Sequence, residues 1–199
     1  YEGPPPKPHP RYWWNVTVWD ERARKPTSQP ACFEAGKLAP EDWAGQWISD
    51  AFTQEFRKAP MLRTEFGVEK EIVSARAYVC GVGYYELFIN GQRVGDRLLD
   101  PGYTHFDKRV LYSTYDVTGM LRQGSNAVAA VLGNGWLNIQ SLAVWDFHLA
   151  RWRMRPRLLC EVRIVYADGG SEVVASGPGW GANTRPYIYN DHHSCDTYD

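Results

Sequence analysis

Ile72-Val73-Ser74-Ala75-Arg76-Ala77-Tyr78-Val79-Cys80, then Val82-Gly83-Tyr84-Tyr85-Glu86-Leu87-Phe88-Ile89 and the pair Asn90-Gly91, decides the fold. In the first stretch Val73, Ala75, Ala77 and Val79 share one face and Ser74, Arg76 and Tyr78 the other, which is the two-residue period of a half-buried strand. Asn90-Gly91 readily takes the two positive φ angles of a two-residue hairpin turn. The second stretch is therefore predicted to double back through Gln92-Arg93-Val94-Gly95.

The same reading extends in both directions. Strands are predicted for Met61 to Phe66, Arg109 to Tyr115, Asn126 to Leu132, Arg157 to Tyr166 and Ser171 to Ala175, the last two joined by a tight turn at Asp168-Gly169-Gly170. Helical periodicity is confined to Asp116 to Leu121 and Trp145 to Trp152, each long enough for a turn or two. Many short strands separated by turn signals predict an all-β chain built as an antiparallel sandwich.

The N-terminal stretch is different. Residues 1–10, YEGPPPKPHP, are too rich in proline for a helix or central strand and read as an extended lead-in. Tyr12 to Asp20 then predicts a strand with Tyr12, Trp14, Val16 and Val18 on one face, and Ala31 to Glu34 a second, across a loop holding Pro26 and Pro30. Two strands bury no core of their own. Residues 1–37 are accordingly expected to be the closing strands of a truncated sandwich, residues 38–47 a linker carrying Trp43 and Trp47, and residues 48–199 the main sandwich.

Composition narrows the function classes. The chain has 199 residues, 44% hydrophobic and 23% charged, which is ordinary globular usage. A net charge of -1 provides no field to draw in nucleic acid or an anionic membrane, and the apolar runs are too short for a spanning helix. The start at Tyr1 without a Met and the stop at Asp199 within a strand-like stretch are read as marks of a fragment. Cys32, Cys80, Cys160 and Cys195 have no metal-ligand spacing and are expected to be free thiols. Nine Trp outnumber seven Phe, beside twelve Tyr, which suits a β core or a surface that grips sugars. Asn15-Val16-Thr17 matches the glycosylation sequon but falls inside a predicted strand and carries no weight.

No phosphate loop, dinucleotide fingerprint, zinc-hydrolase helix or nucleophile elbow occurs. Asp96, Asp100, Asp107 and Asp116 could supply a carboxylate pair for glycoside hydrolysis, but aspartates spaced through loops are more simply turn residues. The more informative segment is Leu132-Gly133-Asn134-Gly135-Trp136-Leu137-Asn138, a strand end breaking into a glycine-flanked loop. It is expected to offer Asn134, Trp136 and Asn138 to a sugar: the flat ring covers the apolar face of a pyranose while the amides bond its hydroxyls. Val144-Trp145-Asp146-Phe147-His148 through Arg155-Pro156 concentrates Trp and Arg, which fits packing between domains and also makes Trp145 a candidate sugar contact. Asp191-His192-His193-Ser194-Cys195-Asp196 is contiguous, so its would-be ligands point to alternate faces and no metal is assigned to it.

Taken in order, Ala75-Arg76-Ala77-Tyr78-Val79-Cys80-Gly81, Ile89-Asn90-Gly91, Val94-Gly95-Asp96, Asp100-Pro101-Gly102, Thr114-Tyr115-Asp116-Val117-Thr118 and Leu132-Gly133-Asn134-Gly135-Trp136 resemble the N-terminal β-sandwich region of bacterial α-L-rhamnosidases. Trp43, Trp47-Ile48, Phe56-Arg57-Lys58 and Arg155-Pro156-Arg157 agree with it, and residues 11–36 resemble the last strands of a preceding fibronectin-type domain. Cys195-Asp196 stands where members commonly have Gly-Glu. The resemblance implies a jelly-roll-like accessory sandwich of an inverting glycosidase that releases terminal L-rhamnose. Its catalytic acid and base lie in a C-terminal helical barrel, so no residue here is carried over as catalytic. It also implies rhamnose-containing glycosides and that barrel as partners and, in some relatives, a sugar site assisted by calcium, whose ligands are not placed on this sequence. A free-standing L-rhamnose-binding module and a protein-interaction sandwich are the rival readings.

Overall fold

A computed structural model describes residues 3–142 and 145–199, so Val144 of the Trp145 segment lies outside the described residues. The chain divides into two compact units, Tyr1–Trp43 and Ala44–Asp199.

In the first unit β1 (Arg11–Trp14) pairs antiparallel with β2 (Ala31–Glu34), matching Arg11 to Glu34 and Trp14 to Ala31. Tyr12 stacks on Phe33 with ring centroids 5.3 Å apart, and Arg11 bonds Glu34 across the pair. The strand expected to reach Asp20 stops at Trp14; beyond it the pairing continues as an isolated bridge, Thr17 to Thr27, with backbone bonds from Val18 to Pro26 and from Ser28 to Val16. The Val16 and Val18 side chains are exposed, because two strands provide no second layer to receive them.

The second unit begins its ladders with β3 (Met61–Val68), β4 (Ile72–Val82), β5 (Tyr84–Ile89) and β6 (Gln92–Arg93). They are followed by β7 (Ser113–Asp116), β8 (Gly124–Gly133), β9 (Arg157–Tyr166) and β10 (Ser171–Ala175). Three short strands close it, β11 (Gly181–Asn183), β12 (Tyr187–Asp191) and β13 (Cys195–Tyr198). One sheet runs β10-β9-β4-β7 and the other β11-β3-β8-β5-β6, with antiparallel pairing throughout. β12 and β13 form a separate hairpin. Leu62, Leu87, Ile89, Leu132, Leu158 and Ile164 are essentially inaccessible in the core between the two sheets. At roughly 1.5–3 kcal/mol for each fully buried aliphatic side chain, this layer is the main source of stability.

The hairpin turn forms as predicted: Asn90 and Gly91 have φ of 51° and 82°, and Ile89 pairs with Gln92. Ala75, Ala77 and Val79 point inward as expected, but Val73 is 59% exposed. The ladder between β4 and β9 shifts register between Ile72 and Ser74, and this irregularity takes Val73 out of the alternation. The strand expected from Arg109 begins only at Ser113; the residues before it turn back, with the Lys108 and Arg109 amides both bonded to the His105 carbonyl. The two predicted helical stretches contain one short 3-10 turn each, Thr118–Met120 and Phe147–Leu149.

Residues 44–49, part of them expected as linker, are built into the second unit. Glu161, 1% exposed, accepts the backbone amides of Ala44 and Gly45. Ile48 exchanges two backbone bonds with Leu158, and Ser49 Oγ donates to the Pro156 carbonyl. No described helix is long and apolar enough to cross a membrane.

Candidate functional site: an aromatic cluster at one end of the sandwich

Strand β8 ends at Gly133 and the chain turns sharply through Asn134-Gly135-Trp136. Gly135 has φ of 51°, and a Cβ there would lie 2.9 Å from Cδ2 of Tyr84, so both conformation and space call for glycine. The turn is fastened to β12 from below. Asn134 donates its backbone amide to Asn190 Oδ1 (2.7 Å) and its side-chain amide to the Asn190 carbonyl (2.8 Å). Asp191, also buried, accepts the amides of Gln140 (2.7 Å), Ser141 (2.8 Å) and His193 (2.8 Å).

These anchors place His192 and His193 against the indole of Trp136, at centroid distances of 4.5 and 5.3 Å. Phe147 approaches the same indole at 5.3 Å and Tyr103 at 6.1 Å. Burial, then the neighbouring His193, holds the His192 imidazole below its ordinary pKa, with Asp191 opposing. A largely neutral imidazole therefore faces the indole near neutral pH. Trp145 lies at the rim, 6.3 Å from Phe147 and 83% exposed. Trp145 and Asp146 both adopt left-handed backbone, with φ of 37° and 54°. For two consecutive residues other than glycine this costs on the order of 1–3 kcal/mol each, strain of the kind that collects at functional sites.

Asn134, Trp136 and Asn138 come together in one turn, but the two asparagines do not present their amides to solvent. Both are completely buried. Asn138 Nδ2 donates to Asn134 Oδ1 (2.8 Å) and to the Gln54 carbonyl (3.0 Å), and its Oδ1 accepts from Arg153 Nε (3.0 Å). The side-chain amides expected to meet a sugar are thus buried and bonded within the protein, Asn134 to Asn190 and Asn138 to Asn134, Gln54 and Arg153. Trp136 is partly exposed and Trp145 fully so. Tyr84, Tyr103, Phe147 and His192 belong to the cluster and were not singled out from sequence as sugar contacts. Phe147 and His192 fall in the segments 144–156 and 191–196 noted in the sequence, whereas no sequence signal marked Tyr84 or Tyr103.

Three of the four candidate aspartates are otherwise engaged. Asp100 Oδ2 accepts hydroxyls from Tyr85 (2.5 Å), Ser113 (2.7 Å) and Tyr115 (2.7 Å), and Asp116 pairs with Arg76 (2.9 Å) and caps Thr118. Asp107 bonds His105. Calcium needs six to eight oxygens in one place. Among the described residues no group of three or more His, Cys, Asp or Glu gathers that could hold a metal, and the buried Asp100 and Asp191 accept bonds from protein donors. All four cysteines are unpaired, Cys80 and Cys160 buried and Cys32 and Cys195 exposed.

Residues 70–199 match the α-L-rhamnosidase N-terminal domain. The chain belongs to that family. Residues 1–39 match the Rha78A-like N-terminal immunoglobulin domain. An α-L-rhamnosidase of Formosa agariphila is 34% identical over the full chain, and one of Streptomyces avermitilis is 39% identical over 88% of it. The chain spans 24% and 17% of those two proteins, so it corresponds to a minor part of each. Among solved structures, the α-L-rhamnosidase from Dictyoglumus thermophilum superposes over 100% of the chain with a TM-score of 0.86 at 34% identity, covering 23% of that protein. The enzyme from Aspergillus terreus does so over 99% with a TM-score of 0.87 at 29% identity, again covering 23%. The Streptomyces avermitilis α-L-rhamnosidase complexed with L-rhamnose, 22% identical, shares the fold at a TM-score of 0.89, over 100% of this chain and 36% of that one.

Proposed function

We propose that the chain is the non-catalytic, accessory N-terminal part of an α-L-rhamnosidase, a glycosidase that releases terminal L-rhamnose with inversion, and that Trp136 and Trp145 contact the sugar of its glycoside substrates. The observation that carries the sugar contact is Trp145: a bare indole held out on strained backbone beside a cluster of tilted and edge-on rings. An indole face suits the apolar side of a pyranose, and the rings behind it keep the platform rigid, which lowers the entropy lost on binding. Asn134, Asn138 and Asp191 set the geometry of that platform from beneath.

The accessory role is supported by the small share of each relative that the chain spans and by how its carboxylates are used. Inverting hydrolysis needs one carboxylic acid and one carboxylate facing each other about 6.5–9.5 Å apart, with room for a water between them. Asp50, Asp100, Glu161 and Asp191 instead each accept bonds from protein donors. The reacting pair is assigned to a helical barrel domain C-terminal to these residues in the parent protein, the partner on which this sandwich would pack. Incubation with p-nitrophenyl α-L-rhamnoside tests the reading: the chain should release no p-nitrophenol above the buffer rate, and enzyme-proportional release would overturn it.

A further inference from the structure

The outer face of the five-stranded sheet is a trough. Its floor is β8, whose outward residues Ser125, Ala127, Ala129, Val131 and Gly133 are all small or short, while Val128, Ala130 and Leu132 point into the core. Its walls are β3 and β5. Register places Arg63 and Phe88 on either side of Ala129, and Met61 and Glu86 on either side of Val131. Three cavities follow one another along it, of about 440, 560 and 560 Å³. The first two share Arg63, Phe88 and Ala129; the last two share Val131. At about 3.3 Å per residue the floor extends roughly 26 Å. The far end is bordered by Tyr187 and Tyr198, whose rings lie 4.8 Å apart.

We propose that this trough binds an extended, uncharged polysaccharide chain. The wall charges pair as Arg63 with Glu65 and Arg93 with Glu86 at 3.1 Å, and Arg122 and Asp196 at the two ends are opposite in sign, so a mostly apolar middle lies between polar ends without a net field for a polyanion. Phe88, Tyr84 and the Tyr187–Tyr198 pair add flat apolar surface along the path. A peptide strand gains its affinity from main-chain bonds at a sheet edge, and the floor of this trough is a central strand whose ladder is complete on both sides. The trough meets the Trp136 cluster only at its far end, through Tyr84, while its Ala129 and Phe88 stretch is separate from Trp136 and Trp145.

Native affinity electrophoresis of the 199-residue chain through gels containing galactomannan, arabinoxylan or xyloglucan, with polygalacturonate as the anionic control, tests it. At least one neutral polymer should retard the chain. Ala129→Trp, which fills the floor from outside the core, should weaken that retardation about tenfold, and Phe88→Ala should weaken it in the same direction. Circular dichroism melts check that each variant is folded, and Phe88→Ala decides if Ala129→Trp is not. Retardation by none of the neutral polymers, as expected if a protein surface covers the trough, would overturn the proposal. So would retardation by polygalacturonate alone, or a loss seen in Trp145→Ala and in neither trough variant.

Discussion

Arg155 and Asp50 meet through two bonds, Nε to Oδ1 at 2.8 Å and Nη2 to Oδ2 at 2.5 Å, with only 5% and 4% of their side chains exposed. Arg155 Nη1 also donates to the Phe56 carbonyl at 2.8 Å, so the guanidinium ties residues 50–56 to the end of the loop that carries Trp145. Removing one partner strands the other charge in the interior. Arg155→Leu should therefore cost about 3–5 kcal/mol in urea unfolding, and Arg155→Leu with Asp50→Leu should cost less than the single change. A double variant that loses the sum of the two single losses would show that the pair is not coupled.

Asp100 gives the stability a pH dependence. Burial raises its carboxyl, but the hydroxyls of Tyr85, Tyr115 and Ser113 and the charge of Arg97 outweigh burial and leave it below the ordinary 3.8. A carboxylate depressed in the folded state contributes fully above its unfolded pKa and loses that contribution as pH falls through the folded value. The unfolding free energy should decline below about pH 4, and Asp100→Asn should flatten part of that decline. An acid limb unchanged in Asp100→Asn would remove Asp100 from the account.

Burial pushes the Cys80 and Cys160 thiols up to about 12, whereas Cys32 and Cys195 are exposed. Only the thiolate reacts, so iodoacetamide at pH 8 should label Cys32 and Cys195 in the native chain and all four cysteines in guanidinium. Peptide mass mapping reads the sites, and native labelling of Cys160 would contradict the packing described for β9.

Gly83 separates β4 from β5 with φ of 104°, and a Cβ there would sit 2.4 Å from the Gly133 carbonyl oxygen. Neither the backbone nor that carbonyl can give way cheaply. Gly83→Ala should destabilise by at least roughly 1–3 kcal/mol, while Gly91→Ala, where nothing lies within 4 Å, should cost only the positive-φ strain. Thermal melts of the two variants check the order.

The sheets were legible in the sequence because alternation and turn chemistry are local. Asn90-Gly91 marks its own hairpin, and Arg157 to Tyr166 with Ser171 to Ala175 has the strand bounds found in the fold. Val73 was misplaced because a register shift depends on the partner strand, which alternation along one chain does not reveal. The burial of Asn134 and Asn138 was not legible for the same reason at longer range: the groups that bond their amides, Asn190, Gln54 and Arg153, lie 15 to 84 residues away in the chain. Trp136 could be found from its glycine-flanked turn. The contact of the two histidines with it could not, because the bonds of Asp191 to Gln140 and Ser141 bring them there from the far end of the sequence.

Titration calorimetry with L-rhamnose asks most directly whether this sandwich is a sugar-contacting accessory. The wild-type chain should give saturable heat that Trp145→Ala abolishes while its melting temperature stays unchanged. Heat indistinguishable from dilution in the wild type, or the same isotherm in Trp145→Ala, would contradict the account.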